Sequence, residues 1–264
     1  MWQYRILETG FFYADGGAMF GVIPKTSWSK KYPSDERNTC RMAMRCLLAW
    51  NGQRVILMDT GVGNKDLRKL SYYRFHDLKN IADLVRESGF RPEQVTDVVL
   101  SHLHFDHCGG CTSVDEEGQL TITFPNALHW VGRKQWEIYM HPAQKNSSFR
   151  RSDMMPVAKA GLLRQVDSAF ELAEGFHINI FKGHTYGQLA SYLDTDEGLC
   201  VFPGDIIPTQ AHLPDAWISA YDTHPLFSEA AKRRLKKEIE NKNARLVFYH
   251  DAYHSSCIFN SIKK

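Results

Sequence analysis

No run of about 18 apolar residues occurs in the chain, so the sequence offers no membrane span. The opening segment MWQYRILETG lacks a basic stretch followed by an apolar one, which argues against a signal peptide. Charge of one sign is lacking as well. With 32 basic and 30 acidic residues the net charge is +2, and neither nucleic acid nor an anionic membrane is expected as the main partner. One basic run, KRRLKKEIENK at 232–242, has Ala231, Leu235 and Ile239 repeating every four residues and reads as a solvated helix face. The six cysteines are scattered through a chain long enough to build its own core, so reduced thiols and a cytoplasmic setting are expected. Low-complexity segments, repeats and a GxSxG motif are absent. DGGAMFG at 15–21 lacks the Lys-Ser/Thr ending of a phosphate loop and reads as a turn near a pocket mouth.

What remains is an ordinary globular composition, with 43% hydrophobic and 23% charged residues. At 264 residues, the length is near the upper end for one core, and we expect one domain over 1–264. MAMRCLLAW (42–50) and RVILMDTG (54–61) read as strands around an Asn51-Gly52 turn. DLKNIADLVRESG (77–89) reads as a helix closed by Gly89, and QVTDVVLS (94–101) as a strand. A strand at 127–132 leads into a helix from Arg133 to about Met140, and the polar stretch 141–156 reads as a long surface loop. The second half is strand-rich, at 176–183, 188–195 and 198–205. It ends in a helix from Ser228 to about Asn241 and the strand ARLVFYHD. Strands and helices mixed in both halves favour α/β layers.

The densest chemistry is SHLHFDHCGG at 101–110. His102 and His104 are two apart, so in extended chain both imidazoles point the same way and can reach one metal. Asp106 and His107 lie past the strand end and could serve a second metal. Gly109 and Gly110 supply freedom for the turn. Neutral imidazole and carboxylate suit zinc, with manganese, iron or cobalt as alternatives. Further donors stand where strands stop: His184 in KGHTYGQ, Asp205 in VFPGDIIP and His250 in LVFYHDAYH.

HLHFDH, GHTYGQ, GD and a late HD resemble, in order and spacing, the metallo-β-lactamase-fold hydrolases. That resemblance implies a four-layer αββα sandwich with two divalent metal ions, most simply zinc, at one edge of the sheets. One ion would be held by His102, His104 and His184. The other would be held by Asp106, His107 and His250, with Asp205 bridging. Asp59 of ILMDTG would hold a ligand histidine by a hydrogen bond. Two adjacent cations lower the pKa of a shared water to about 7, so a bridging hydroxide would attack the substrate.

HLHFDHCGG and GDIIPTQAHLPDAW look most like the lactonase branch, whose members open N-acyl homoserine lactones. The expected substrate is therefore a small lactone or ester. Aryl phosphotriester or thioester hydrolysis on the same site is the alternative, and an iron-dependent persulfide dioxygenase is the alternative of another class. Pro208 stands where lactonases of that branch carry a tyrosine. Tyr221 and His212, on the segment leaving Asp205, become the candidate oxyanion donors, beside Asp106 and Asp205 as catalytic carboxylates. Trp217 and Asp222 are weighed as pocket lining. Cys108 and Cys111 lack further thiolate partners and read as packing residues. Oligomeric state is left open.

Overall fold

A computed structural model describes residues 1–142 and 148–259. The first half supplies strands β1 (Gln3–Asp15), β2 (Thr39–Trp50), β3 (Val55–Met58) and β4 (Asp97–Val99), a small hairpin of β5 (Thr112–Val114) and β6 (Leu120–Ile122), then β7 (Leu128–Gly132) and β8 (Leu163–Val166). The second half supplies β9 (Phe170–Ala173), β10 (Phe176–Lys182), β11 (Tyr186–Thr195), β12 (Gly198–Phe202), β13 (Arg245–Val247) and β14 (Ser256–Ile258). Two six-stranded sheets result, in the orders β1-β2-β3-β4-β7-β8 and β14-β13-β12-β11-β10-β9. In the first, β3, β4, β7 and β8 run parallel. In the second, β12 and β13 run parallel.

The alternation of side chains explains why the sheets stack. Along β11, Leu189 and Leu193 face the core shared with Leu47 of β2 and Leu57 of β3, whereas Ala190 and Tyr192 face the other way. Along Leu246–Tyr249 the same switch occurs: Val247 and Tyr249 turn inward, Leu246 and Phe248 outward. Strands buried on both faces need cover on both sides. Outside the second sheet lies α7 (Pro225–Glu238), whose Ala231 and Leu235 meet Val201, Leu246 and Phe248. Outside the first lies α3 (Ile81–Glu87), through Ile81, Leu84 and Val85. Burying each of these leucines contributes about 1.5–3 kcal/mol. The result is the expected αββα sandwich. None of the helices is long and apolar enough to cross a membrane, among the described residues.

Several expectations are corrected. β1, the longest strand at 13 residues, carries no clear period-two signal because its inner half, Leu7–Phe12, is covered on nearly every residue, and the sequence reading did not anticipate it. DGGAMFG forms a helix, α1 (Gly16–Phe20), rather than a turn; the Asp15 side chain caps it by accepting from the Ala18 N–H at 3.0 Å. Gly16 is there because a Cβ would meet the Trp28 ring at 2.4 Å, so the glycine that lowers helix propensity is a packing requirement. The stretch 141–156 includes the start of a helix, α6 (Arg151–Lys159), which its buried Asp153 anchors; residues 143–147 of that stretch lie outside the described residues. Helix α7 begins at Pro225, three residues before Ser228, because proline is tolerated in a first turn and exposed Leu226 conceals the start.

Candidate metal centre

The motif begins where β4 stops. Asp59, at the end of β3, accepts hydrogen bonds from the Ser101 N–H and hydroxyl, both at 2.7 Å, and so fixes the chain just before His102. Asp59 itself adopts φ 57, a left-handed conformation that aspartate tolerates better than most residues. Residues Phe105–Cys108 then make one helical turn, which carries Asp106 and His107. Gly109 and Gly110 follow, but neither has positive φ. Their requirement is space: a Cβ at Gly109 would sit 2.2 Å from the Val62 carbonyl oxygen, and one at Gly110 2.2 Å from that of Thr60. Beneath this turn lies a buried ion network. Lys65 pairs with Asp153 at 3.3 Å and donates to the Gly109 carbonyl, while Arg150 binds Asp153 at 3.0 Å and donates to the Val62 carbonyl.

The other donors arrive from the second half: His184 between β10 and β11, Asp205 just after β12, and His250 just after β13. The seven residues fall into two groups. In the first, His102 Nε2 lies 3.0 Å from His104 Nδ1, His184 Nε2 lies 3.2 Å from His104 Nδ1, and Asp205 Oδ2 lies 3.3 Å from His184 Nε2. In the second, His107 Nε2 lies 3.3 Å from His250 Nε2, Asp106 Oδ2 lies 3.6 Å from His250 Nε2, and Asp205 Oδ1 lies 3.3 Å from His250 Nε2. Asp205 thus turns one oxygen to each group. Gln188, oriented with its amide oxygen toward them, accepts from the Asp205 and Ile206 N–H groups at 2.7 and 3.0 Å.

Outer partners set the tautomers. The Nδ1–H of His107 donates to Asp59 at 2.8 Å, that of His184 to Asp222 at 2.9 Å, and that of His250 to the Ala43 carbonyl at 2.9 Å. Each Nε2 is thereby turned inward, where it is available to a cation. Burial, then the neighbouring histidines, holds His102 and His104 well below the usual imidazole range, so both are neutral at pH 7. Burial also opposes a charge on Asp205, but His250, His107 and His184 outweigh it and keep the carboxyl well below its usual range.

These donors fit divalent cations. Ligands at about 2.1 Å around a tetrahedral ion lie about 3.4 Å apart, and the observed spacings straddle that value. Buried Asp205 Oδ1 has no hydrogen-bond partner among the described residues, an acceptor that a cation would satisfy. Three sets can hold an ion on ligand-atom spacing: His102 with His104 and His184, His102 with His107 and Asp205, and Asp106 with His107 and His250. The donor set lacks thiolate. Cys108 and Cys111 are buried, and burial pushes Cys111 up to about 12 and Cys108 well above its usual range.

The groups open into a pocket lined by Phe12, Tyr73, Phe105, Pro208, Trp217 and Tyr221, with Met19, His212, Asp222 and Lys232 further round its wall. Tyr221 is partly exposed there. His212 requires a correction. Its Nε2–H donates to the Met19 carbonyl at 2.8 Å, its Nδ1 pairs with the Thr209 hydroxyl at 2.7 Å, and its ring stacks on Phe20. Burial, with Lys232 next, holds it down to about 4. Both nitrogens are committed, so His212 shapes the wall and has no proton to offer an oxyanion. Asp222 does more than line the pocket, because it orients His184. Sequence reading missed Tyr73, Met19 and Lys232. Tyr73 lies on a segment with no visible motif, Met19 lies in DGGAMFG, which reads only as a turn near a pocket mouth, and Lys232 is hidden in a basic run.

The sequence matches the metallo-beta-lactamase superfamily over residues 45–250. An N-acyl homoserine lactonase, AiiA, from Bacillus thuringiensis subsp. kurstaki is 22% identical over 219 residues, covering 78% of this chain and 80% of the relative. Among solved structures, one from Staphylococcus aureus described as a probable metal-dependent hydrolase superposes with a TM-score of 0.88 at 28% identity, over 97% of this chain and 91% of that one. AidC, a dizinc quorum-quenching lactonase, superposes with a TM-score of 0.77 at 21% identity, over 97% and 90%. With the fold, the donor set and the matched span in agreement, the chain belongs to the metallo-beta-lactamase superfamily and is a metal-dependent hydrolase.

Proposed function

We propose that residues 1–264 work as one catalytic domain that binds two divalent ions, most simply zinc, and opens a lactone or related small ester. The observation that carries this reading is the division of seven donors into two groups sharing Asp205, one oxygen to each. His102, His104 and His184 would hold one ion, and Asp106, His107 and His250 the other, with Asp205 common to both. Bound there, the ions would supply Lewis acidity at neutral pH. The chain's own groups do the rest. Asp59 and Asp222 keep ligand imidazoles oriented. The wall of Phe12, Phe105, Ile206 and Trp217 excludes water and receives an apolar acyl part. Tyr221 takes the oxyanion-donor role that Pro208 cannot fill, and Asp106, on the pocket lining, returns a proton to the leaving alcohol. AiiA and AidC are named as lactonases, which supports the substrate class.

Steady-state kinetics on γ-lactones of short and long acyl chain, beside an aryl phosphotriester and a thioester, test the reading. Lactones should show the highest kcat/KM, and Tyr221→Phe should lower kcat more than it raises KM. Faster turnover of the phosphotriester would replace the lactone by that class. A single iron in fully active protein would sink the dinuclear hydrolase in favour of oxidation.

A further inference from the structure

Lys232 is the one lysine on the pocket lining among the described residues, and it is almost fully buried, at 1% exposure. It projects from the buried side of α7, whose Arg233, Arg234 and Lys237 are exposed. Its Nζ donates to the Trp217 carbonyl at 2.6 Å and to the Pro214 carbonyl at 3.3 Å. An ammonium has three protons, so one remains. A buried cation normally has a carboxylate against it, because desolvating an uncompensated charge costs several kcal/mol. Here the two nearby carboxylates are already engaged. Asp222 is bound to His184, and Asp215 is held by Lys236 and by Arg233. Among the described residues no carboxylate lies within ion-pair distance of the Lys232 ammonium, and Asp222 and Asp215 act on it from farther away. The same lining carries apolar Phe12, Met19, Ile206, Pro208, Trp217 and Ile218, together with Asp222, the carboxylate that holds His184.

We propose that Lys232 is a specificity determinant that reads a carboxylate at the far end of the substrate's acyl chain. The substrate is then an ester or lactone whose acyl part comes from a dicarboxylic acid, reacting at the metal donors by one end and held at Lys232 by the other. This rests on the pocket being the substrate pocket, as proposed above. Burial holds Lys232 down to about 8, which still leaves it mostly protonated at neutral pH. Beside it, His212 is neutral and committed to Met19, so it offers no competing anion or cation.

The test is calorimetric binding to zinc-loaded protein of straight-chain dicarboxylates from about four to about ten carbons, each against the monocarboxylate of equal length. At least one dicarboxylate should bind about ten-fold tighter than its monocarboxylate, the worth of one charge-assisted contact. Lys232→Met should abolish that difference and leave the monocarboxylate within about two-fold, while Lys232→Arg should keep part of it. No preference at any length in the wild type overturns the proposal, and that comparison stands even if the methionine variant does not fold. Equal weakening of both ligand classes by Lys232→Met also overturns it, because that is the mark of a lysine that only braces the 214–217 backbone. Binding needs no turnover. A protein that prefers dicarboxylates yet opens no lactone keeps this assignment and loses the lactone reading, and the reverse result separates them the other way.

Discussion

The two donor groups are chemically alike but anchored differently. His107 and His250 are tied to the sandwich: to Asp59 at the end of β3, to the Ala43 carbonyl within β2, and to Tyr249, whose ring stacks on His107 at 3.9 Å and whose hydroxyl donates to the Asp106 carbonyl. His104 and His184 lean on the pocket wall. His184 is held by Asp222 and Thr223, and His104 packs on Phe149. Strands buried on both faces cannot shift without opening the core. Loops at a pocket mouth can, because few buried contacts hold them. We therefore expect the second group to be the rigid half and the first, apart from His102 beside the fixed Ser101, to be the adjustable half.

Breaking both halves at once should give the largest effect. Asp205→Ala removes the shared carboxylate, and kcat/KM should fall by about 10³-fold or more, since an outer-partner loss alone typically costs 10–100-fold and this change touches both groups directly. Elemental analysis should then find fewer than two ions per chain. Full retention of both would show that Asp205 does not bridge.

The difference between the halves is sharpened by removing one outer carboxylate from each. Asp59→Asn should weaken metal binding about 10–100-fold and lower thermal stability, because it also unties Ser101. Asp222→Asn should weaken binding toward the lower end of that range, about 10-fold, with little loss of stability. Competition with a chelator and a thermal melt measure both. Equal stability losses would dissolve the distinction between a rigid and an adjustable half.

The smallest effect is expected from Cys108→Ala with Cys111→Ala. These thiols are buried beside the motif and face neither group: Cys108 Sγ lies 3.5 Å from the Leu103 carbonyl oxygen and Cys111 Sγ 3.6 Å from the Thr60 hydroxyl. Metal content should be unchanged and kcat within about two-fold, with a stability cost of order 1 kcal/mol for the lost volume. Loss of an ion from this variant would assign the thiols to one half.

Much of this site is legible in the residues themselves. The spacing of His102 and His104, the turn after them and three donors at strand ends are local facts, and local facts follow from backbone periodicity. β11 and β12 are legible as apolar runs, but which of their faces turns inward is not, because nearly every residue of β11 is buried. The reading fails where context replaces pattern. β1 is covered along most of its inner half and shows no alternation, and Gly16, required by the Trp28 ring, disguises the helix at 16–20.

The sequence alone determined which seven side chains can bind a cation, because donor chemistry belongs to the residue. The resemblance implied how they are shared, and the tertiary structure is what brings them together: His104 meets His184 across 80 residues and His107 meets His250 across 143. It also decided that Asp222 serves His184 rather than the bulk pocket, that His212 has both nitrogens committed, and that one lysine of a basic helix turns inward. A carboxylate, an imidazole or an ammonium has the same formula wherever it stands; its protonation, its partners and its purpose come from the groups that folding brings against it.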